Sequence, residues 1–156
     1  MATERERKFL VRGDGWRAAA GKAFFIRQFY LVAEANRSLR VRLKNGRAIL
    51  TMKLGSAGLE RDEYEYPVEL EEARRMEAFM VGRPVEKTRH LVPHRGRVYE
   101  VDEFSGRLAG LVLAELETPE SVPDAELPSW LGREVTQVRA YYNASLALYG
   151  LPETVS

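Results

Sequence analysis

The chain has 156 residues, the size of one domain, with 45% hydrophobic residues and no cysteine; a disulfide framework, a zinc–thiolate site and a cysteine nucleophile are thereby excluded. Its 24 Lys and Arg against 23 Asp and Glu leave a net charge of +1, without the basic excess of a nucleic-acid binder, so no nucleic acid is expected as a partner. The opening MATERERKFLVRG lacks the apolar segment of a secretion signal, and the longest apolar run, residues 108–114, is too short to span a bilayer; a cytoplasmic chain with no membrane partner is expected, folded as one domain over 1–156.

Alternation of polar and apolar residues, the period of a half-buried strand, predicts strands over 3–11 and 23–33. Between them, 14–20 reads as a short helix with Asp14 as its N-cap. The clearest alternation is 38–44, where Arg40, Arg42 and Lys44 interleave with Leu39, Val41 and Leu43. Asn45-Gly46 then signals a hairpin, and 47–54 returns as its partner. A strand over 60–68 is followed by a helix over 69–81, with Gly82 and Pro84 as stop signals. Residues 84–92 and 97–104 read as a hairpin, and 111–118 as the last strand. Residues 119–132 read as a loop rich in proline and acid, and 138–149 as a final helix ended by Gly150 and Pro152. The expected architecture is α+β, mainly β: eight antiparallel strands closed into a barrel, with a few flanking helices and a C-terminal helix.

Charged residues recur at spacing two, and such residues share one face of a strand. Glu4, Glu6 and Lys8 open the series. Arg40 and Arg42, Lys53 beside Thr51, and Glu63 and Glu65 follow. Lys87 and Arg89, Glu100 and Asp102, and Glu115 and Glu117 complete it. Two arrangements fit this pattern. The charged faces can lie in water, where ion pairs contribute roughly 0–1 kcal/mol each. Alternatively they turn inward, which is costly unless the charges are paired or bound to ions. The second arrangement suits a polyphosphate held with metal: Arg and Lys match phosphate oxygens, and carboxylates favour Mg²⁺ or Mn²⁺. His90 and His94 have the spacing of a zinc helix, but Pro93 and the strand reading place them around a turn. Trp16 and Trp130 read as packing anchors, and Tyr141 and Tyr142 as residues of the last helix. Glu134 is left open between the charged interior and the surface.

The motif Glu4-Arg-Glu-Arg-Lys8 resembles the ExExK signature of the CYTH family, the triphosphate tunnel metalloenzymes. Arg40-Val-Arg42, Leu-Thr-Met-Lys53, Glu63-Tyr-Glu-Tyr66, Lys87-Thr-Arg89, Tyr99-Glu-Val-Asp-Glu-Phe104, Ala114-Glu-Leu-Glu117, Leu-Gly-Arg-Glu-Val-Thr136 and Tyr141-Tyr-Asn143 extend the resemblance in order. It implies an eight-stranded tunnel and a divalent-metal-dependent phosphohydrolase. Glu4, Glu6 and Glu117 would hold the main metal, with Glu115 and Asp102 also on the metal side. Lys8, Arg40, Arg42, Lys53, Lys87 and Arg89 would grip phosphates. Glu63 or Glu65, with Lys8, would serve catalysis. The compact form is most similar to the inorganic triphosphatases, which implies tripolyphosphate as substrate and Mg²⁺ or Mn²⁺ as cofactor. A class IV adenylyl cyclase, a thiamine or nucleoside triphosphatase, and a non-catalytic polyphosphate binder are the alternatives, and a homodimer is left open. Similar proteins tend to read EVTxDxRYYN, where this chain has Val138 and Ala140, and Phe29 follows Gln28 where glycine is frequent.

Overall fold

The computed structural model describes residues 5–55 and 61–153. The predicted strands are present: β1 (Arg5–Val11), β2 (Ala23–Glu34), β3 (Arg37–Lys44), β4 (Arg47–Leu54), β5 (Asp62–Val68), β6 (Val81–His94), β7 (Arg97–Phe104) and β8 (Val112–Thr118). A further strand, β9 (Leu131–Glu134), pairs with β1. All pairings are antiparallel, in the order β5-β4-β3-β2-β6-β7-β8-β1-β9. The mainly antiparallel architecture with few helices is therefore as expected. Hydrogen bonds do not close it: among the described residues β5 and β9 are free edges. The extra strand falls partly inside the segment read as a loop. Leu-Gly-Arg-Glu is too short to show an alternation, and its register with β1 is irregular.

The turns follow local chemistry. Asn45 and Gly46 have φ of 52° and 73°, and Arg95 and Gly96 have 49° and 76°. Positive φ at both central positions makes the two-residue turn that matches strand twist.

The helices are shorter than the sequence pattern suggests. α1 spans Leu70–Met76 and passes into a 3-10 turn; α2 spans only Asn143–Tyr149; the segment after Asp14 is a 3-10 turn, Gly15–Ala19. Gly82 and Pro84, read as stop signals before a strand, lie inside β6. At Gly82 (φ +69°) an added Cβ would sit 2.3 Å from the Ala147 carbonyl oxygen, so β6 passes directly under α2. Pro84 lies at the irregularity between the pairs Gln28↔Val85 and Tyr30↔Val81, where a missing N–H is tolerated.

The sheet has two differently filled faces. On the outer face, Phe29, Val41 and Ala48 pack under Ala73 of α1. Farther round, Phe9, Val92, Tyr99, Val101, Ala114 and Leu116 pack with Trp16, Val122 and Leu131. Phe29, the departure noted after Gln28, is fully buried here. The inner face is apolar at one end only. There Tyr30, Val85, Phe104 and Leu113 receive Leu146 and Ala147 of α2. A seven-residue helix does not persist alone; burial of its apolar side chains, about 1.5–3 kcal/mol for each large one, holds it in place. Arg107 adds a clamp, its Nη2 donating to the Leu146 and Ala147 carbonyls at 2.8 Å. No helix among the described residues is long and apolar enough to cross a membrane.

Candidate functional site

The other end of the inner face carries the charges. The register settles which face each side chain shares. Glu6 lies opposite Glu117, Lys8 opposite Glu115, and Glu115 opposite Glu100. Arg40 pairs with Thr51 and Lys53 with Glu63; Arg89 pairs with Asp102. Most of the charged residues named from the sequence thus converge on one concave surface. It encloses a cavity of about 420 Å³ lined by Glu6, Lys8, Arg40, Arg42, Lys53, Glu63, Arg89, Glu100, Glu115 and Glu117, among others. At its mouth Ser38, Lys53, Arg61, Tyr142 and Ala144 also border a wider groove of about 740 Å³ beside α2.

The cations fall into two sets. Those of β6 are paired. Arg89 donates from Nε and Nη2 to the two oxygens of Asp102 at 2.8 and 2.9 Å, and from Nη1 to Glu100 at 3.2 Å. Lys87 Nζ lies 2.8 Å from Asp102 Oδ2 and is fully buried. Burial would raise the Asp102 carboxyl, but Lys87 and Arg89 outweigh it and hold it at about 2. Burial pushes Lys87 down to about 8 despite Asp102. The cations of β3 and β4 are unpaired: among the described residues Arg40, Arg42 and Lys53 have no ion pair. Arg42 Nε donates to Gln28 Oε1 at 2.8 Å, and Arg40 Nη2 reaches Thr51 Oγ1 at 3.4 Å, while Arg40 Nε is buried without a partner. Burial, then Arg40 and Arg89, pushes Arg42 down to about 10. Burial and Arg40 also lower Lys53.

Lys8 links this region to the carboxylates. Its Nζ lies 3.4 Å from Glu115 Oε1, donates to the Tyr141 carbonyl at 3.3 Å and stands 5.7 Å from the Tyr142 ring centroid. Beside it, Glu6, Glu100, Glu115 and Glu117 form a carboxylate corner, with like charges opposite one another across the strands. Such pairs are destabilising unless a cation intervenes. Glu6 is exposed along much of its side chain, yet desolvation of its carboxyl and then repulsion from Glu115 push its pKa up.

Other expected residues resolve as follows. Glu4 lies outside the described residues. Glu65 shares the inward face by register with Thr51 but does not line the cavity; Glu63, also exposed, does. Glu134 turns outward, where it accepts from Arg7 at 2.9 and 2.7 Å. His90 packs on Trp16 and lies 3.3 Å from Glu103, and His94 packs on Tyr99 beyond the turn. Among the described residues no three His, Asp or Glu side chains stand close enough to hold a metal ion by themselves. Tyr141 packs in the apolar end, and Tyr142 lines the cavity.

Two residues escape the sequence reading: Gln28 and Asn143. Gln28 is fully buried; its Nε2 donates to Asn143 Oδ1 at 3.1 Å, and Lys87 Nζ donates to the same oxygen at 3.1 Å. An amide at inward parity between Ile26 and Tyr30 is the signal that could have found the first. Asn143 leaves no periodic signal, because α2 brings it across the tunnel end.

An antiparallel sheet curled around a polar lumen, with basic side chains on one side and carboxylates on the other, defines a protein that binds a multiply charged anion. The CYTH domain model matches residues 2–146. The chain is 40% identical over 147 residues to an inorganic triphosphatase of Acetivibrio thermocellus, covering 94% of each. It is 37% identical over 153 residues to an inorganic triphosphatase of Nitrosomonas europaea, covering 94% of this chain and 97% of that one. Its fold is similar to the crystal structure of the inorganic triphosphatase NE1496, with a TM-score of 0.71 and 32% identity over 97% of this chain and 99% of the other. The chain belongs to the CYTH domain family.

Proposed function

We propose that this protein is a divalent-metal-dependent inorganic triphosphatase of the cytoplasm, which hydrolyses tripolyphosphate to pyrophosphate and phosphate. The observation that carries the reading is the segregation of charge in the lumen: Arg42 and Lys53 are desolvated cations, Arg40 has a buried nitrogen with no hydrogen bond, none of the three has an ion pair among the described residues, and they face a corner of crowded carboxylates. Desolvated, uncompensated cations are costly unless a ligand supplies the opposite charge. The relatives named inorganic triphosphatase support the same substrate class.

The donors of the corner are all hard carboxylate oxygens, which fits Mg²⁺ or Mn²⁺. Glu6, Glu115 and Glu117, with Glu4, would hold the ion. A bound ion supplies charge neutralisation at phosphate oxygens and lowers the pKa of a water molecule. Arg40, Arg42, Lys53, Arg89 and Lys8, which line the lumen, would neutralise the phosphate chain and stabilise the leaving pyrophosphate; Lys87, buried behind Asp102 and Asn143, would add positive charge without touching it. Asp102 is better read as a positioning residue than as a metal ligand, since both its oxygens are engaged by Arg89 and Lys87. Water adds to the terminal phosphorus, the bridging P–O bond breaks, and pyrophosphate departs. Glu63, at the lumen wall opposite Lys53, would orient that water or take its proton; Glu65 does not line the lumen.

The test is phosphate release from tripolyphosphate, with ATP and pyrophosphate alongside, in Mg²⁺, Mn²⁺ and EDTA. Metal-dependent release from tripolyphosphate supports the reading. No release from any substrate, with tripolyphosphate still raising the melting temperature, would leave the lumen a binding site only. Cyclic AMP formed from ATP would favour the cyclase reading.

A further inference from the structure

The orientation of a side-chain amide is fixed only when its neighbours have one hydrogen-bonding role. That condition is met twice beside the lumen. Arg42 can only donate, so its 2.8 Å bond identifies the acceptor end of Gln28 and turns the Gln28 amide nitrogen toward Asn143. The protonated Lys87 likewise only donates, and its 3.1 Å bond falls on the same Asn143 oxygen that Gln28 reaches at 3.1 Å. Two donors from the neighbouring strands β2 and β6 thus hold Asn143 Oδ1. The other end of that amide, Nδ2, has no hydrogen-bond partner among the described residues and is not sealed from solvent. Asn143 also lines the charged cavity. The arrangement is a donor held rigid by its neighbours, beside three cations with no ion pair among the described residues. Rigid donors cost little reorganisation when an oxyanion arrives.

We propose that Asn143 is a substrate-binding residue whose Nδ2 donates a hydrogen bond to a phosphoryl oxygen in the lumen; this rests on the triphosphatase reading. Gln28 is its positioning residue, tying the amide to Arg42. Asn143 thereby joins the C-terminal helix to the substrate, so that α2 both plugs the apolar end of the tunnel and completes the polar end.

The test uses the full chain with tripolyphosphate as probe, by titration calorimetry without divalent metal and by steady-state hydrolysis with Mg²⁺. Asn143→Ala deletes the donor and should weaken tripolyphosphate binding about tenfold or more, the scale of a hydrogen bond to a charged group. Asn143→Asp keeps an oxygen for Lys87 and Gln28 but presents an acceptor in place of the donor, and should weaken binding further while the melting temperature holds. Because it retains both internal bonds, the Asp variant carries the test even if the Ala variant fails to fold. Binding and kcat/KM within about twofold of the parent in the folded variants, with only the melting temperature lowered, would overturn the assignment and leave Asn143 a structural residue. A parent that neither binds nor hydrolyses tripolyphosphate would instead sink the triphosphatase reading itself, and this one with it.

Discussion

The β6–β7 wall and the β3–β4 wall of the tunnel carry the same kind of charged strand, yet they hold their charge in opposite ways. On β6, Lys87 and Arg89 close on Asp102 and Glu100. On β3 and β4, Arg40, Arg42 and Lys53 have no ion pair among the described residues: Arg40 and Arg42 meet Thr51 and Gln28, and only more distant carboxylates, Glu63 and Glu6, offset the burial and repulsion at Lys53. The first wall is complete without a ligand, whereas the second is complete only with one. A cation whose partner is built in supports the fold; a cation whose partner is absent from the fold reports what the protein binds.

Removing a built-in partner should give the largest effect. Asp102→Ala leaves Lys87 and Arg89 buried without their carboxylate, and should cost about 3–5 kcal/mol in urea unfolding. If the loss is small, the two walls are not different in kind. Acid titration sharpens the point. The Asp102 carboxyl is held below its ordinary value of 3.8, at about 2. The folded state therefore binds the proton less readily than the unfolded chain, so this contribution is present above the ordinary value and disappears as pH falls toward about 2. Asp102→Asn should flatten that part of the stability–pH curve.

On the other wall, Arg42→Met removes a desolvated charge repelled by Arg40 and Arg89 but leaves the buried Gln28 oxygen without its donor, so it should cost clearly less unfolding stability than Asp102→Ala. The same substitution should reduce tripolyphosphate affinity by about 10–100-fold. Stability falling as far as in Asp102→Ala would mean that Arg42, through Gln28, supports the fold as strongly as the Asp102 pairs do. Ligand protection reads the same difference from the other side. Tripolyphosphate at 100 times its Kd should stabilise the parent by about 2.7 kcal/mol, and much less in Arg42→Met at the same concentration.

Glu6→Gln removes a carboxylate whose proton affinity is already raised by desolvation and by Glu115. Metal-dependent phosphate release should be lost, with the metal-free melting temperature unchanged or higher. A lower melting temperature would show that Glu6 is paired in the fold. The smallest effect is expected outside the tunnel: Glu134→Gln breaks the Arg7 pair on the outer face, where the two side chains are 23% and 39% exposed. The stability change should stay within about 1 kcal/mol, and activity should not move.

Much of the site was legible because a strand has an exact two-residue period. Once Arg40 and Arg42 were on a strand, their common face followed, and the same held for Lys87 with Arg89 and Glu115 with Glu117. What could not be read was the relation between strands. Asp102 and Glu115 look alike in sequence; only pairing across β6–β7 and β1–β8 makes one the anchor of two cations and the other a neighbour of Lys8 and Glu100. Glu63 and Glu65 also share a face, but only the depth of the curled sheet puts Glu63 at the lumen wall and Glu65 outside it.

The sequence by itself determined the first eight strands, the turn at Asn45-Gly46, the hairpin around 93–96, and the grouping of charge on one face of each strand, because backbone sterics and side-chain parity are local. Tertiary structure alone decided that these faces turn inward, that among the described residues the sheet stays open between β5 and β9, and that Asn143 meets Gln28 beside the lumen. Those outcomes depend on register and on the docking of α2 into the apolar end, which are contacts between residues far apart in the chain.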